Sequence, residues 1–440
     1  MTGTGMNRVG FSGSTDRRVA ITGIGLVTAL GVGRDAVWAG LMEGRSGIDR
    51  LGQYDPASFR TQWGAELTDF DPRQFADRRA LRMTTRNDQL AIAGAALAVS
   101  DSQLELAKVD PTRAGLFLGG NKEISKPEHL LEGSLVGRDS NGSADIRALG
   151  RNAASAFYPL FYVEGLQSAS LFYLSQAYGL RGANAYFHGT ADAGATAIGR
   201  GYRSILRGES DVVLAGGFDD ASSWWSMSKM DGLGVLSTAN DQGNSAFRPY
   251  DVERSGSLLG EGAAFLMLEE LSAARRRGAA VYAELTGFGS TMDTVRLLTP
   301  EPSGRALSVA IGRALNESRT DPADVGMVAS HGCATRLGDV SETRALKAIF
   351  GAGPGTVGTS VKPATGHLVA GAGALNAAVC ALSLYSGEVP ATLNLRNADP
   401  QCDWNWVTGA GRAINSSNAL ALARGLEGQQ VALALSAVAG

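Results

Sequence analysis

The sequence predicts an α/β fold with mostly parallel sheets, built as two successive cycles. Short apolar runs bounded by glycine alternate with helical stretches along the chain. The alternation restarts after the basic, Ala-rich segment 273–280, which points to an internal duplication that is faint at residue level. A chain of 440 residues is long enough for two or three domains or one large duplicated fold.

The elements follow in order. Residues 1–17 are rich in Gly, Ser and Thr, lack an apolar stretch long enough for a secretion signal, and read as a flexible tail. An N-terminal half spans 18–275. It opens with a buried strand from Arg18 through Gly25 and a helix through Val37 to Met42. A helix rich in Ala and Leu follows at Thr85–Ser100, then a strand at Ala114–Gly120. Residues 133–151 are polar and Gly-rich and are expected to form a loop or variable excursion. Two further strands are expected at Asp211–Gly217 and Ala263–Glu269. The C-terminal half, 276–440, repeats the cycle. It has a strand from Val281, a helix at 305–317, a strand at 325–330, a helix at 341–350 and an Ala-rich helix after His367.

Composition excludes several classes. Hydrophobic residues make up 44% and charged residues 19%, as in a soluble globular protein, and no window approaches an uninterrupted membrane span. A net charge of −3 gives no basic field for nucleic acid. Cys333, Cys380 and Cys402 have no metal-ligand spacing, and their odd number argues against a disulfide framework. A reducing cytoplasm fits best. Gly23-Ile-Gly25 follows a strand, but the remaining parts of a dinucleotide fingerprint are missing, so these read as turn glycines.

Of the four histidines, His331 and His367 each follow a short extended run and sit among small residues, in SHGCAT and KPATGHLVAGAGA. Small neighbours let a ligand approach the imidazoles, although a lone histidine is more often a satisfied core residue. The surrounding pattern decides. VAITGIGLVTALGVGRDAVWAGLMEGRSGI, FRPYDVERSGSLLGEGAAFLMLEE, SHGCATRLGDVSETRAL and VKPATGHLVAGAGAL occur in order. Over almost all of residues 18–440 the chain resembles the β-ketoacyl-ACP synthases of the thiolase superfamily.

That resemblance implies a thiolase-like, duplicated α-β-α-β-α five-layer fold. It implies that His331 and His367 donate hydrogen bonds to the thioester carbonyl of a malonyl unit and stabilise the enolate formed as carbon dioxide leaves. Lys362 would accompany the second histidine, with Glu342 as its neighbouring carboxylate; the bland alternative is a solvated surface pair. Asp339 and Thr335 would brace the first histidine loop. No resident cofactor is implied, because substrates arrive on the phosphopantetheine arm of acyl carrier protein (ACP). Arg82 and Arg86 would dock that acidic partner, unless they are simply a solvated face. Arg275 and its two neighbours could add to the docking surface.

The chain also departs from the pattern. The resemblance places a nucleophilic cysteine at the start of a buried helix within 186–199, YFHGTADAGATAIG, where this chain has none. An ungapped comparison puts Ala191 at that position, and a one-residue gap puts Asp192 there. An alanine introduced to trap substrate would read the same way. Asp192 otherwise reads as a carboxylate in a first helical turn, where the dipole favours it. The family's gating phenylalanine falls at Ala439, and Lys122 and Glu123 replace a glycine-rich stretch near its acyl tunnel.

Three functions compete. The favoured one is a chain-length-factor-like subunit paired in a heterodimer with a cysteine-bearing ketosynthase, failing which a homodimer. The second is a malonyl-ACP decarboxylase using the histidine pair. The third is a non-enzymic ACP-binding scaffold.

Overall fold

The computed structural model describes residues 17–121, 127–157, 159–351 and 355–438. Residues 1–16 of the expected tail, Lys122, Glu123 and the expected gate Ala439 lie outside the described residues.

Ten strands form the main path of an 11-stranded sheet. The N-terminal half supplies β1 (Val19–Thr28), β2 (Ala114–Gly120), β3 (Asn184–His188), β4 (Val212–Asp220) and β5 (Glu261–Glu270). The C-terminal half supplies β6 (Ala283–Met292), β7 (Val325–Ala329), β8 (Val357–Thr359), β9 (Asn418–Arg424) and β10 (Gln429–Ser436). The order in space is β8-β7-β9-β10-β6-β1-β5-β4-β2-β3.

Reading outward from the centre, the halves run β1-β5-β4-β2-β3 and β6-β10-β9-β7-β8. Strand order and strand direction match position by position. In each half the two inner pairings are antiparallel and the two outer ones parallel. The duplication that residue similarity shows only faintly is therefore explicit in the topology. It also corrects the expectation of mostly parallel sheets, because each half is mixed. The halves join where Val19, Ala20 and Ile21 of β1 pair with Leu285, Glu284 and Ala283 of β6.

Helices complete five layers. Helix α1 (Arg34–Met42) follows the first hairpin. Helix α2 (Arg86–Ser102) lies outside the N-terminal strands and α4 (Arg305–Ser318) outside the C-terminal ones. Between the two sets of strands, α3 (Ala193–Leu206) and α6 (Ala372–Ser386) pack on one another. Helix α5 (Arg336–Phe350) packs on α4. Thr85 caps α2 in a full capping box with Asp88. Gly23 and Gly25 let α2 approach β1 closely, since a Cβ on either would stand about 2 Å from a helix carbonyl (2.2 Å from Ala98 O, 2.0 Å from Gly94 O). Close packing, not a ligand loop, accounts for that pair.

Helix α6 is apolar all round because it is covered on all sides. With its preceding turn, Val369–Ser386 has the length and apolar composition of a membrane span, at mean hydropathy 1.4, and 83% of it is buried inside the protein. The excursion is also corrected. Instead of one loop at 133–151, helices Pro127–Val136 and Ile146–Ala156 pack together and only the segment between them is irregular.

Candidate active site

Three segments leave the carboxyl ends of parallel strands and converge, the place where open α/β sheets bind ligands. They are 189–192 after β3, 330–335 after β7 and 360–371 after β8. They bring Ala191, His331 and His367 to the wall of one cavity of about 520 Å³.

The two imidazoles face each other nearly edge-on, with ring centroids 5.4 Å apart and planes at 74°. Both are buried, at 6% and 9% exposure. The Val369 amide donates to His367 Nδ1 at 3.0 Å, so the neutral ring carries its proton on Nε2. Val369 adopts φ +39°, a costly conformation for a β-branched residue, and its amide is the group that sets the His367 tautomer. Burial, the Lys362 charge and the neighbouring imidazole hold the His331 pKa well below its usual value. Burial and Lys362 do the same for His367. Both rings are therefore neutral donors at physiological pH.

The first histidine loop is held from behind. Glu342, on α5, accepts from the His331 amide at 2.7 Å, the Gly332 amide at 2.9 Å and the Tyr250 hydroxyl at 2.9 Å. Lys362 Nζ donates to the His331 carbonyl. Asn376 on α6 donates to the Ser330 carbonyl at 2.9 Å. Glu342 and Lys362 are 1% and 2% exposed, so they are not a solvated surface pair. Burial lowers the Lys362 pKa to about 8, against the raising effect of Glu342. Asp339 accepts from the Tyr250 amide at 2.8 Å, and burial pushes its carboxyl up to about 7. The Asp339 amide donates in turn to the Thr335 carbonyl at 3.1 Å. Asp339 thus holds Tyr250, whose hydroxyl reaches Glu342, while the bond to Thr335 belongs to the first turn of α5.

The two residues considered for the nucleophile position, Ala191 and Asp192, are placed differently. Thr190 and Ala191 contribute to the cavity wall and Asp192 does not. The Asp192 carboxylate packs close to Gly425, with Oδ1 2.5 Å from where a Cβ on that glycine would stand. It sits at the start of α3 without making a side-chain cap. Burial and the Glu427 charge raise its pKa to about 6, and Oδ1 has no hydrogen-bond partner. The gapped alternative, with Asp192 as the attacking group, finds no support in the cavity wall, which Asp192 does not join.

Docking residues divide. Arg82 is exposed, just past the short helix Arg78–Leu81. Arg86 is engaged internally, with Nε 2.8 Å from Glu261 Oε2, a second bond to Oε1 at 3.0 Å, and a bond to the Leu67 carbonyl at 3.0 Å. Glu261 is 1% exposed, so removing its partner would strand a buried carboxylate. Arg86 therefore has a structural role, separate from the docking role expected of it, which falls more directly to the exposed Arg82. Arg277 is likewise bound to Glu269 and to the Ser102 carbonyl.

Four contributors were not singled out from sequence for this site. Cys333 and Arg424 line the cavity, and Tyr250 and Asn376 hold the loop. Cys333 carried one signal, its place two residues after His331. Among the described residues no group of His, Cys, Asp and Glu is arranged to hold a metal ion.

Comparison with known proteins agrees with this geometry. The family model described as Beta-ketoacyl synthase, N-terminal domain, matches residues 16–274, and that described as its C-terminal domain matches 282–396. The 3-oxoacyl-[acyl-carrier-protein] synthase 2 of Synechocystis is 33% identical over 95% of this chain and 97% of its own length. A putative polyketide beta-ketoacyl synthase 1 of Streptomyces cyaneus is 33% identical over 96% of this chain and 99% of its own. Among solved structures, the ishigamide ketosynthase/chain length factor is similar at 26% identity, covering 96% of this chain and 100% of its own, with a TM-score of 0.84. With two histidines converging on one cavity, a duplicated fold and matches along most of its length, the chain belongs to the beta-ketoacyl synthase family.

Proposed function

We propose that this chain is a non-condensing member of its family, acting beside a cysteine-bearing ketosynthase in ACP-dependent chain elongation and decarboxylating malonyl-ACP. One observation carries the reading. A buried, neutral histidine pair with a fixed Nε2–H donor faces a cavity whose wall presents Ala191 at the foot of α3. Hydrogen bonds to a thioester oxygen are stronger once that oxygen bears enolate charge, so the pair accelerates loss of carbon dioxide. A methyl group cannot form a thioester, so no acyl group waits for the enolate, which is protonated instead. The substrate would reach the site on the phosphopantetheine arm of ACP, with Arg82 at the docking surface.

The pairing has its own support. The likeness to a solved ketosynthase/chain length factor spans 96% of this chain. Strand β3 lies at the sheet edge with its residues only half-buried or exposed, open to another chain. Co-expression with a cysteine-bearing ketosynthase should yield a stable heterodimer that elongates chains; recovery of homodimer alone would remove that part. Purified chain incubated with malonyl-ACP should release acetyl-ACP, and absence of turnover above background would remove the chemistry and leave a scaffold.

A further inference from the structure

The enolate needs a proton at carbon, and we propose that the thiol of Cys333 supplies it. This assignment rests on the decarboxylation reading. Among the other ionisable groups along the cavity wall, Arg296 and Arg336 are guanidiniums too weakly acidic to serve, and the two imidazoles are assigned to the thioester oxygen. The imidazole N–H of His367 is directed by its tautomer toward a thioester oxygen. Arg424 is bound to the Gly338 carbonyl at 2.8 Å and to Ser341 at 3.1 Å. Asp293 accepts through one oxygen from the Val295 amide and through the other from the Glu301 amide.

Cys333 differs in kind. It lines the same cavity, two residues from His331, with Sγ 3.1 Å from Thr335 Oγ1 and 3.9 Å from Asp339 Oδ1. Burial and the Asp339 charge raise its pKa, so it stays S–H where a catalytic nucleophile would be thiolate. A second feature marks the wall as built for a ligand. His331 Nδ1 is buried without a partner on a side chain that is more than nine-tenths buried.

The step balances. The bond between the α-carbon and the carboxylate breaks, its electron pair passes into the enolate, and carbon dioxide leaves. The enolate electrons then form a C–H bond with the proton of Cys333. The resulting thiolate takes a proton from water, and one solvent proton has been consumed per acetyl thioester made. Transfer is downhill, since a thiol is far more acidic than the α-C–H of a thioester.

The test is isotopic discrimination in an equal mixture of H2O and D2O, with malonyl-ACP as probe and mass analysis of the acetyl product. A thiol carries less deuterium than the water it exchanges with, whereas water and hydroxyls do not discriminate in this way. Wild-type product should be enriched in hydrogen, and Cys333→Ala and Cys333→Ser should both shift the ratio toward that of direct solvent protonation. Turnover with an unchanged ratio in both variants overturns the assignment and leaves decarboxylation standing. Absence of wild-type turnover overturns both together.

Discussion

Replacing Glu342 with glutamine changes one oxygen to an amide nitrogen and leaves the side-chain shape intact. The carboxylate accepts through both oxygens: Oε1 from the His331 amide, Oε2 from the Gly332 amide and the Tyr250 hydroxyl. A carboxamide has one accepting oxygen. Whichever way it turns, its NH2 group meets at least one of these donors in a site that is 1% exposed. An orphaned buried donor costs about 1–3 kcal/mol, and losing the charge that strengthens the other bonds brings the expected destabilisation to about 2–4 kcal/mol. The same change loosens the backbone carrying His331. Losing a well-placed donor to a developing oxyanion typically lowers turnover by about 10²–10³-fold, so Glu342→Gln should approach that range in malonyl-ACP decarboxylation. Denaturant unfolding and an acetyl-ACP assay on the same preparation read both effects. A variant with wild-type stability and wild-type turnover would refute the claim that Glu342 holds the loop.

Further outcomes follow from other residues. Ala191→Cys puts a thiol on the cavity wall beside the start of α3, where the helix dipole favours thiolate; intact-mass analysis should show an acyl adduct with acyl-ACP that wild type lacks. If the variant stays unmodified, Ala191 is not the nucleophile position. Asp192 has a pKa raised from 3.8 to about 6, so the folded state binds its proton more tightly than the unfolded state does. Its contribution is fully present below about pH 4 and is lost as pH rises through about 6. Asp192→Asn should therefore gain roughly 2–3 kcal/mol relative to wild type at pH 7 and almost nothing at pH 3.5. Equal effects at the two pH values would mean that the buried carboxylate carries no such cost. Arg86→Ala, by stranding the Glu261 carboxylate, should lower stability by about 3–5 kcal/mol, whereas Arg82→Ala should leave stability unchanged and weaken ACP binding.

Much of this was legible in the chain because local signals agreed with the final structure. The strand at Ala114–Gly120 and the helix from Arg305 stand where glycine boundaries and periodicity put them. Strands β9 and β10 were not recognised. Ala-Leu alternation in NALALAR and QQVALALS suits a helix as well as a strand, and burial on both faces erases the polar alternation that would decide. Strand β8, three residues long, is too short to announce itself, and β3 is half-buried or exposed along its length and lacks an extended apolar run. At the site, His331, His367, Lys362 and Glu342 were legible from motif order, and the structure places them together. The role of Arg86 was hidden because Glu261, its partner, lies 175 residues away in sequence. The surroundings of Asp192 were hidden too, because Gly425, against which it packs, comes from the other half of the duplication. Cys333 was weighed only as a metal ligand or disulfide partner, and its place in the cavity emerges once three strand ends converge.

A histidine pair that works without a thiol at position 191 is the centre of this mechanism. Its most direct test is the rate at which purified wild-type protein converts malonyl-ACP to acetyl-ACP, set against His331→Ala and His367→Ala. Wild-type protein should turn over, and the rate should fall by about 10²–10³-fold in each variant, the usual cost of removing one donor to a developing oxyanion. Acetyl-ACP no faster than the protein-free background, or formed equally fast by both variants, would contradict it.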